Sequence, residues 1–123
     1  MRAWLDDYGR AARSNDPAEV AELFSEDAVY RVGPFAEPWT GRERIVAKWT
    51  ADPEGQTDLT FRAEPLLGAG ERWVAHWTMT FGMRTAPDTT TELDGLLVLR
   101  FDDAGRCTEH LEWFHRRTLP AGR

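Results

Sequence analysis

The stretch WVAHWTMTF, residues 73–81, constrains the fold of this chain more than any other. Large apolar residues alternate along it with smaller or polar ones, which is the period of a β-strand with one covered face. The side that carries Trp73, Trp77, Met79 and Phe81 is too aromatic to face water. The sequence therefore predicts a sheet with one face packed under another layer of structure.

The first 24 residues have the pattern of two helices that can supply this layer. Apolar side chains recur at helical spacing from Trp4 to Ala12, and again from Val20 to Phe24. Between them, Asp16 followed by Pro17 is typical of a helix start, because aspartate caps the free backbone N–H groups and proline suits the first turn. We therefore expect a short break between the helices at this point.

A short strand and a third helix follow. DAVYRV, residues 27–32, has the composition of a strand, and the prolines and glycines of GPFAEPWTG end it. Thr40 stands three residues before Glu43, the spacing of a capping box, so we expect the third helix to start there. We expect it to end at Asp52-Pro53, because the residue before a proline disfavours helical conformation.

The second half of the chain changes to a period of two residues. It predicts four further strands, at 58–64, 71–83, 90–101 and 107–116. Turn residues separate them, at Gly68 and Gly70, at Ala86-Pro87-Asp88 and at 102–105. Short connections imply antiparallel neighbours. Residues 1–123 are therefore expected to form one α+β domain, with three N-terminal helices over one face of the sheet.

Composition argues against several classes of partner. The formal net charge is −6, and the first basic pair is Arg116-Arg117, so we expect no nucleic-acid surface. The longest aliphatic run, Leu96–Leu99, is far shorter than a membrane helix requires. Cys107 is the single cysteine, which excludes an intrachain disulfide and suits a reducing compartment. We expect a soluble, cytoplasmic protein.

The last predicted strand, GRCTEHLEWFH at 105–115, carries the residues with most chemistry. One of its faces holds Glu109, Leu111, Trp113 and His115; the other holds His110, Glu112 and Phe114. Amphipathicity alone favours burial of the face with Leu111 and Trp113, which leaves His110 and Glu112 in water. The function depends on which face is dry.

Three segments resemble the nuclear transport factor 2-like superfamily, and within it the SnoaL-like branch. They are AELFSEDAVY at 21–30, GRERIVAKW at 41–49 and LRFDDAGRCTEHLEWFH at 99–115. The resemblance implies a cone-shaped, strongly curled antiparallel or mixed sheet with a pocket between its concave face and the helices. It also implies a homodimer through the convex face. If a partner covers Leu111 and Trp113, then His110, Glu112 and Phe114 point into the pocket.

Site residues of three enzyme groups in this superfamily match in part. Tyr8 falls where ketosteroid isomerases keep an oxyanion-binding tyrosine. Tyr30 and Glu112 match the water-positioning tyrosine and the carboxylate of limonene-epoxide hydrolase. EHLE at 109–112 resembles the EHWD of polyketide cyclases, which puts Glu112 at an acid/base position and His110 two residues before it.

The departures from these groups are equally specific. Val32 replaces the isomerases' base and the hydrolase's asparagine, and Leu97 replaces the isomerases' second oxyanion donor. Trp77 and Met79 stand where the hydrolase has arginine and aspartate. The cyclases' second histidine has no clear counterpart, although His76 lies on the corresponding strand. The resemblance therefore implies the fold without selecting a reaction.

These residues lead to two hypotheses. In the first, Glu112 in an apolar pocket is a general acid or base with a raised pKa, tuned by His110 and assisted by Tyr30 and Tyr8. In the second, the domain is a non-catalytic module that binds a small ligand or forms a dimer. The pocket residues expected to contact a small apolar ligand are Trp77, Met79, Phe114, Leu97, Val32, Trp73 and Phe24. We expect no cofactor and no metal, because His110 with Glu112 supplies only two ligands. Whether His76 or Asp94 contributes is left open.

Overall fold

The computed structural model describes residues 1–51 and 55–120, and in them the predicted helices and strands occur in the predicted order, with one further two-residue strand, Trp39–Thr40, in the segment expected to be irregular. In chain order the elements are α1 (Arg2–Ser14), α2 (Pro17–Leu23), β1 (Phe24–Arg31), β2 (Trp39–Thr40), α3 (Arg42–Thr50), β3 (Gln56–Ala69), β4 (Arg72–Met83), β5 (Ala86–Phe101) and β6 (Cys107–Pro120). The α+β class is therefore confirmed. Four of the five predicted strands are longer than the sequence pattern indicated, and β4 is one residue shorter.

The sheet is mixed, and its topology places β1, from the first half of the chain, beside the last strand, β6. The strand order is β2-β1-β6-β5-β4-β3. Consecutive strands from β3 to β6 pair as antiparallel hairpins, whereas β1 and β6 run parallel, with Tyr30 in register with His110. This single parallel pair places a residue from the first quarter of the chain beside the last strand.

The expected strong curl is not present, and the sheet stays open. Its outermost described strands, β2 and β3, do not pair with each other. Sheets bend sharply at bulges, but the β5–β6 pair is regular from Thr89 to Arg100 and is interrupted only beside Phe101. The β4–β5 pair is interrupted only next to Met83. The long central ladders therefore lack the interruptions that would close the sheet into a cone.

The helix starts agree with the sequence in one case and not in the other. Asp16 caps α2 as predicted, accepting a hydrogen bond from the backbone N–H of Ala18 at 2.9 Å. The predicted cap at Thr40 is wrong, because Thr40 belongs to β2 and Gly41 is the N-cap of α3. Gly41 has φ of 89°, a conformation that glycine adopts without strain. The predicted end of this helix, Asp52-Pro53, lies outside the described residues.

The turn expected at Ala86-Pro87-Asp88 lies two residues earlier. Residues 84–85 form the turn, and Ala86 already pairs with Met83. The register shifts immediately afterwards, and pairing with β6 begins only at Thr89. Pro87 therefore falls where the missing N–H interrupts neither ladder, which is how a proline is accommodated near a strand start.

The helices cover the face of the sheet whose burial the alternating apolar residues of β4 predicted. The side of β4 bearing Ala75, Trp77 and Phe81 is buried. Residues from both layers form one core, which comprises Trp4, Leu5, Tyr8, Ala11, Val20, Leu23, Phe24, Ala28, Tyr30, Ile45, Phe61, Ala75, Trp77, Phe81, Leu93, Leu97, Leu99 and Cys107. We call this covered side the concave face and the opposite side the convex face.

Candidate functional site

The dry face of β6 is the one that carries the histidine and the glutamate. His110 is 1% exposed and Glu112 is 8% exposed, whereas Trp113 on the convex face remains 43% exposed. The face that amphipathicity favoured is therefore the more open one in a single chain. The orientation that the family resemblance implied is the one observed.

Two tyrosines from other elements meet these residues. The Tyr30 hydroxyl, on β1, donates to Oε1 of Glu112 at 2.9 Å. The Tyr8 hydroxyl, on α1, lies 3.2 Å from the Tyr30 hydroxyl and 3.0 Å from Nε2 of His110. The structure thus joins all four residues that the sequence nominated for chemistry.

Ring stacking fixes this cluster in place. The Tyr30 ring stacks on the His110 ring at 3.8 Å between centroids, and Trp39 stacks on Tyr30 at 4.6 Å. Trp49 of α3 approaches Tyr8 at 4.9 Å in an edge-on arrangement. Trp39 was not among the predicted site residues, because it lies in a segment whose prolines and glycines indicated a loop. The available signal was its position, an aromatic residue close in sequence to a predicted site strand.

Burial shifts the acid–base behaviour of both ionisable groups on β6. It raises the pKa of Glu112 from 4.5 to about 7, an effect that the hydrogen bond from Tyr30 partly opposes. Burial also lowers the pKa of His110 from 6.5 to about 3, so the imidazole is neutral at physiological pH. Nδ1 of His110 is 3.9 Å from Oε1 of Glu112, but with a neutral imidazole this contact is not an ion pair.

The tyrosines act as neutral hydrogen-bonding groups. Burial, reinforced by the nearby Glu112 carboxylate, raises the pKa of Tyr8 and Tyr30 well above 10. Neither hydroxyl therefore ionises near neutral pH. A glutamate that is partly protonated at neutral pH and held by a neutral donor can both accept and return a proton.

The predicted ligand-contact residues do not form one wall. Leu97 lies opposite Glu112 in the β5–β6 ladder, and the rings of Trp77 and Phe114 meet at 5.8 Å. Phe114 and Val32 follow Glu112 and Tyr30 by two residues each and are 38% and 37% exposed, and we refer to this pair as the mouth residues.

The other three predicted ligand-contact residues lie in β1 and β4. Phe24 is completely buried in the core. Met79 is level with Leu93 on β5, two residues beyond the position opposite Phe114. Trp73 donates to the carbonyl of Gly70 at the β3–β4 turn, 3.3 Å away.

Aromatic rings occupy the interior where the resemblance implied an open pocket. Tyr8 packs against Phe61 at 5.1 Å, and Phe24 packs against Tyr30 at 5.8 Å. Clefts of about 610 and 420 Å³ lie on the outer sides of α1, away from this cluster. The side chain of Glu112 is nevertheless 10% exposed.

The convex face offers a different set of polar groups. His76 and Asp94, whose part in a site was left open, bond to each other at 2.9 Å there and are both exposed. They therefore lie on the opposite side of the sheet from Glu112. Among the described residues, no group of three or more His, Cys, Asp or Glu side chains is placed to hold a metal ion.

Comparisons with known proteins agree with this fold. A model of the SnoaL-like domain matches residues 2–110. Similar solved structures include a Mycobacterium tuberculosis protein (TM-score 0.78, 16% identity, 95% of this chain and 94% of that one). The Δ5-3-ketosteroid isomerase of a Mycobacterium species is also similar (0.77, 16%, 95% and 96%).

A third similar structure is the epoxide hydrolase/cyclase-like enzyme SalBIII, described in pyran ring formation in the polyether salinomycin (TM-score 0.75, 13% identity, 93% of this chain and 89% of that one). A search of curated proteins found no match. None of the helices in the described residues is long and apolar enough to cross a membrane. At these identities the solved structures establish the fold and leave the reaction to the site itself.

Proposed function

This chain belongs to the SnoaL-like domain family, and from that premise we propose that it is a cofactor-independent enzyme that transfers a proton on a small, largely apolar molecule. The observation that carries the proposal is the buried Glu112, whose pKa is raised to about 7 in an aromatic surrounding. A general acid or base is most effective when its pKa is close to the working pH. The reaction class is that of an isomerase, cyclase, dehydratase or epoxide hydrolase.

Glu112 is the proton carrier in this proposal. The ionised carboxylate removes a proton from the substrate, and the resulting acid returns it to the intermediate or to a leaving oxygen. Tyr30 holds Oε1 by its hydrogen bond and orients the carboxyl group. The apolar neighbours Leu97 and Phe114 favour an apolar substrate body beside the carboxyl.

A second candidate function is a ligand-binding module without catalysis. The observation that favours it is the aromatic packing around Tyr8 and Tyr30, which occupies the space a substrate would need. Under this alternative the ligand stays at the mouth residues, Val32 and Phe114. Loss of a proton from a bound probe distinguishes an enzyme from a binding module.

The test uses 5-nitrobenzisoxazole, a small aromatic probe that opens to a coloured cyanophenolate when a base removes the C–H proton of its isoxazole ring. The proton goes to the base and the N–O bond breaks, so no cofactor is required. We expect saturable turnover that rises with pH through a midpoint near 7, since only ionised Glu112 is a base. Binding without turnover favours the module, and turnover with no midpoint between pH 5 and 9 contradicts the role of Glu112.

We also propose a homodimer through the convex face. Leu96 and Trp113 face each other across β5 and β6 there, and they are 40% and 43% exposed. Contiguous exposed apolar residues mark association surfaces. We expect a dimer at micromolar concentration by sedimentation, and a monomer for Trp113→Lys, because a buried unpaired charge opposes association.

The control for the dimer is Phe35→Lys. Phe35 is fully exposed in the loop before β2, so the same change of chemistry there should leave the sedimentation coefficient unchanged. A wild-type chain that sediments as a stable monomer contradicts the dimer.

We propose that the protein is located in the cytoplasm.

A further inference from the structure

Four polar side chains close into a ring inside the protein. Around it, Glu112 meets Tyr30 at 2.9 Å, Tyr30 meets Tyr8 at 3.2 Å, and Tyr8 meets His110 at 3.0 Å. The ring closes where Nδ1 of His110 faces Oε1 of Glu112 at 3.9 Å. The first three contacts are within hydrogen-bond distance and the fourth is not.

If all three short contacts are hydrogen bonds when Glu112 is ionised, the number of available protons sets their direction. A carboxylate only accepts, so the Tyr30 proton points to Glu112. The Tyr8 proton then completes the contact with Tyr30, because each hydroxyl has a single proton. With the Tyr8 proton on Tyr30, the contact between Tyr8 and Nε2 needs a proton on His110, and this assignment selects the Nε2–H tautomer of the neutral imidazole.

This tautomer leaves Nδ1 of His110 with a lone pair and no proton. Nδ1 is buried, and no side chain in the described part of the chain forms a hydrogen bond with it. A buried acceptor without a donor is unfavourable, and most native structures avoid one. The nearest group of the ring is the Glu112 carboxyl, which has a proton to offer only in its acid form.

We propose that His110 is the hydrogen-bond acceptor for the acid form of Glu112: Tyr8 holds the imidazole as the Nε2–H tautomer, and Nδ1 receives the carboxyl O–H. This proposal rests on the proposed function, in which Glu112 takes a proton from the substrate. The proton stays bonded to a carboxyl oxygen, His110 remains neutral, and rotation of the carboxyl group shortens the 3.9 Å contact. His110 is thus a positioning residue that keeps the transferred proton on Glu112.

The groups around His110 and Glu112 favour a hydrogen bond between these two residues. Tyr8 faces it from α1 and Tyr30 from β1, while Leu97 on β5 opposite Glu112 is apolar. Cys107, on the same strand as His110, is buried, and burial raises its pKa to about 12, so it stays a thiol. No arginine or lysine of the described residues forms an ion pair with Glu112 in this structure.

The test is nuclear magnetic resonance of the ¹⁵N-labelled full chain, with long-range ¹H–¹⁵N correlation of the His110 ring from pH 5 to 9. We expect the Nε2–H tautomer throughout, and an Nδ1 resonance that moves upfield as Glu112 becomes protonated, with the same midpoint as the Glu112 carboxyl carbon. An Nδ1–H tautomer at pH 9, or an Nδ1 resonance that ignores the Glu112 midpoint, overturns the proposal.

Two variants sharpen the result. In Glu112→Gln the side-chain amide can donate to Nδ1 at every pH, so the Nδ1 resonance should lose its titration. In Tyr8→Phe the imidazole is released, and we expect it to become the Nδ1–H tautomer, donate to ionised Glu112 and lower the Glu112 midpoint. An unchanged tautomer in Tyr8→Phe contradicts the positioning role of Tyr8.

These measurements need no substrate, so they separate the two proposals. A ring that behaves as expected in a protein that turns over no probe removes the enzyme proposal and keeps the link between His110 and Glu112. Turnover through Glu112 with a His110 ring whose resonances do not follow the Glu112 midpoint keeps the enzyme proposal and removes the link between His110 and Glu112. If Tyr8→Phe does not fold, the wild-type and Glu112→Gln spectra still decide the proposal.

Discussion

Replacing Glu112 by glutamine is expected to abolish proton transfer and to stabilise the fold at neutral pH. Glutamine keeps an oxygen that accepts from Tyr30, but it cannot take up a proton, so turnover of 5-nitrobenzisoxazole should fall by about 10²–10⁴-fold. Wild-type protein must ionise a buried carboxyl whose pKa is about 7 in place of 4.5. That difference corresponds to about 3 kcal/mol of unfolding free energy above pH 7.

The pH dependence of this difference has a defined sign. Between pH 4.5 and 7 the folded protein holds a proton on Glu112 that the unfolded chain has released, so the stability of the wild type falls as pH rises through this window. His110 acts in the opposite direction. Its pKa is about 3 when folded and 6.5 when unfolded, so its contribution to stability grows as pH rises from 3 to 6.5.

Because the two effects overlap and oppose each other, Glu112 and His110 together should leave the unfolding free energy of the wild type nearly constant from pH 4.5 to 6.5. Glu112→Gln removes one of them, and its unfolding free energy should rise through the same window. Urea unfolding from pH 4 to 8 measures both curves. Glu109→Gln is the matched control, since it removes an exposed carboxylate from the convex face of the same strand. Parallel wild-type and Glu112→Gln curves contradict the burial of a titrating Glu112.

The last strand shows what local sequence pattern can and cannot predict. Alternation placed β6 correctly, but it favoured Leu111 and Trp113 as the buried side, whereas His110 and Glu112 are the buried residues. Amphipathicity assigns faces by assuming that polar groups need water. Here partners separated by 82 and 102 residues in sequence, Tyr30 and Tyr8, satisfy them instead. Only the family resemblance carried that long-range information.

Features that depend on neighbouring residues were predicted well. The Asp16 cap and the order of the hairpins follow from spacing that a single segment contains. The features that were missed depend on packing between distant elements. Trp39 was assigned to a loop but stacks on Tyr30, and Gly41 rather than Thr40 is the N-cap of α3. Aromatic rings from several elements fill the expected pocket, and this packing also could not be predicted from any one segment.

Phe24→Ala is expected to destabilise the protein by about 3–5 kcal/mol, the usual cost of removing a fully buried phenylalanine. Phe24 is 0% exposed, and its ring lies 6.1–6.2 Å from the rings of Trp4, Trp49 and His110. A substitution there leaves a cavity bounded by rigid rings that cannot collapse into it. Chemical unfolding at pH 7 measures the loss.

Phe114→Ala is the matched comparison, because Phe114 was nominated beside Phe24 for ligand contact but is one of the mouth residues and 38% exposed. It should cost less than about 1 kcal/mol, as expected of a partly solvated side chain. Its effect should fall on the probe instead, as a raised KM with little change in kcat, because it removes binding that ground and transition states share. If Phe24→Ala is tolerated and raises KM in the same way, then Phe24 lines the ligand site rather than the core, and the interior opens further than its packing indicates.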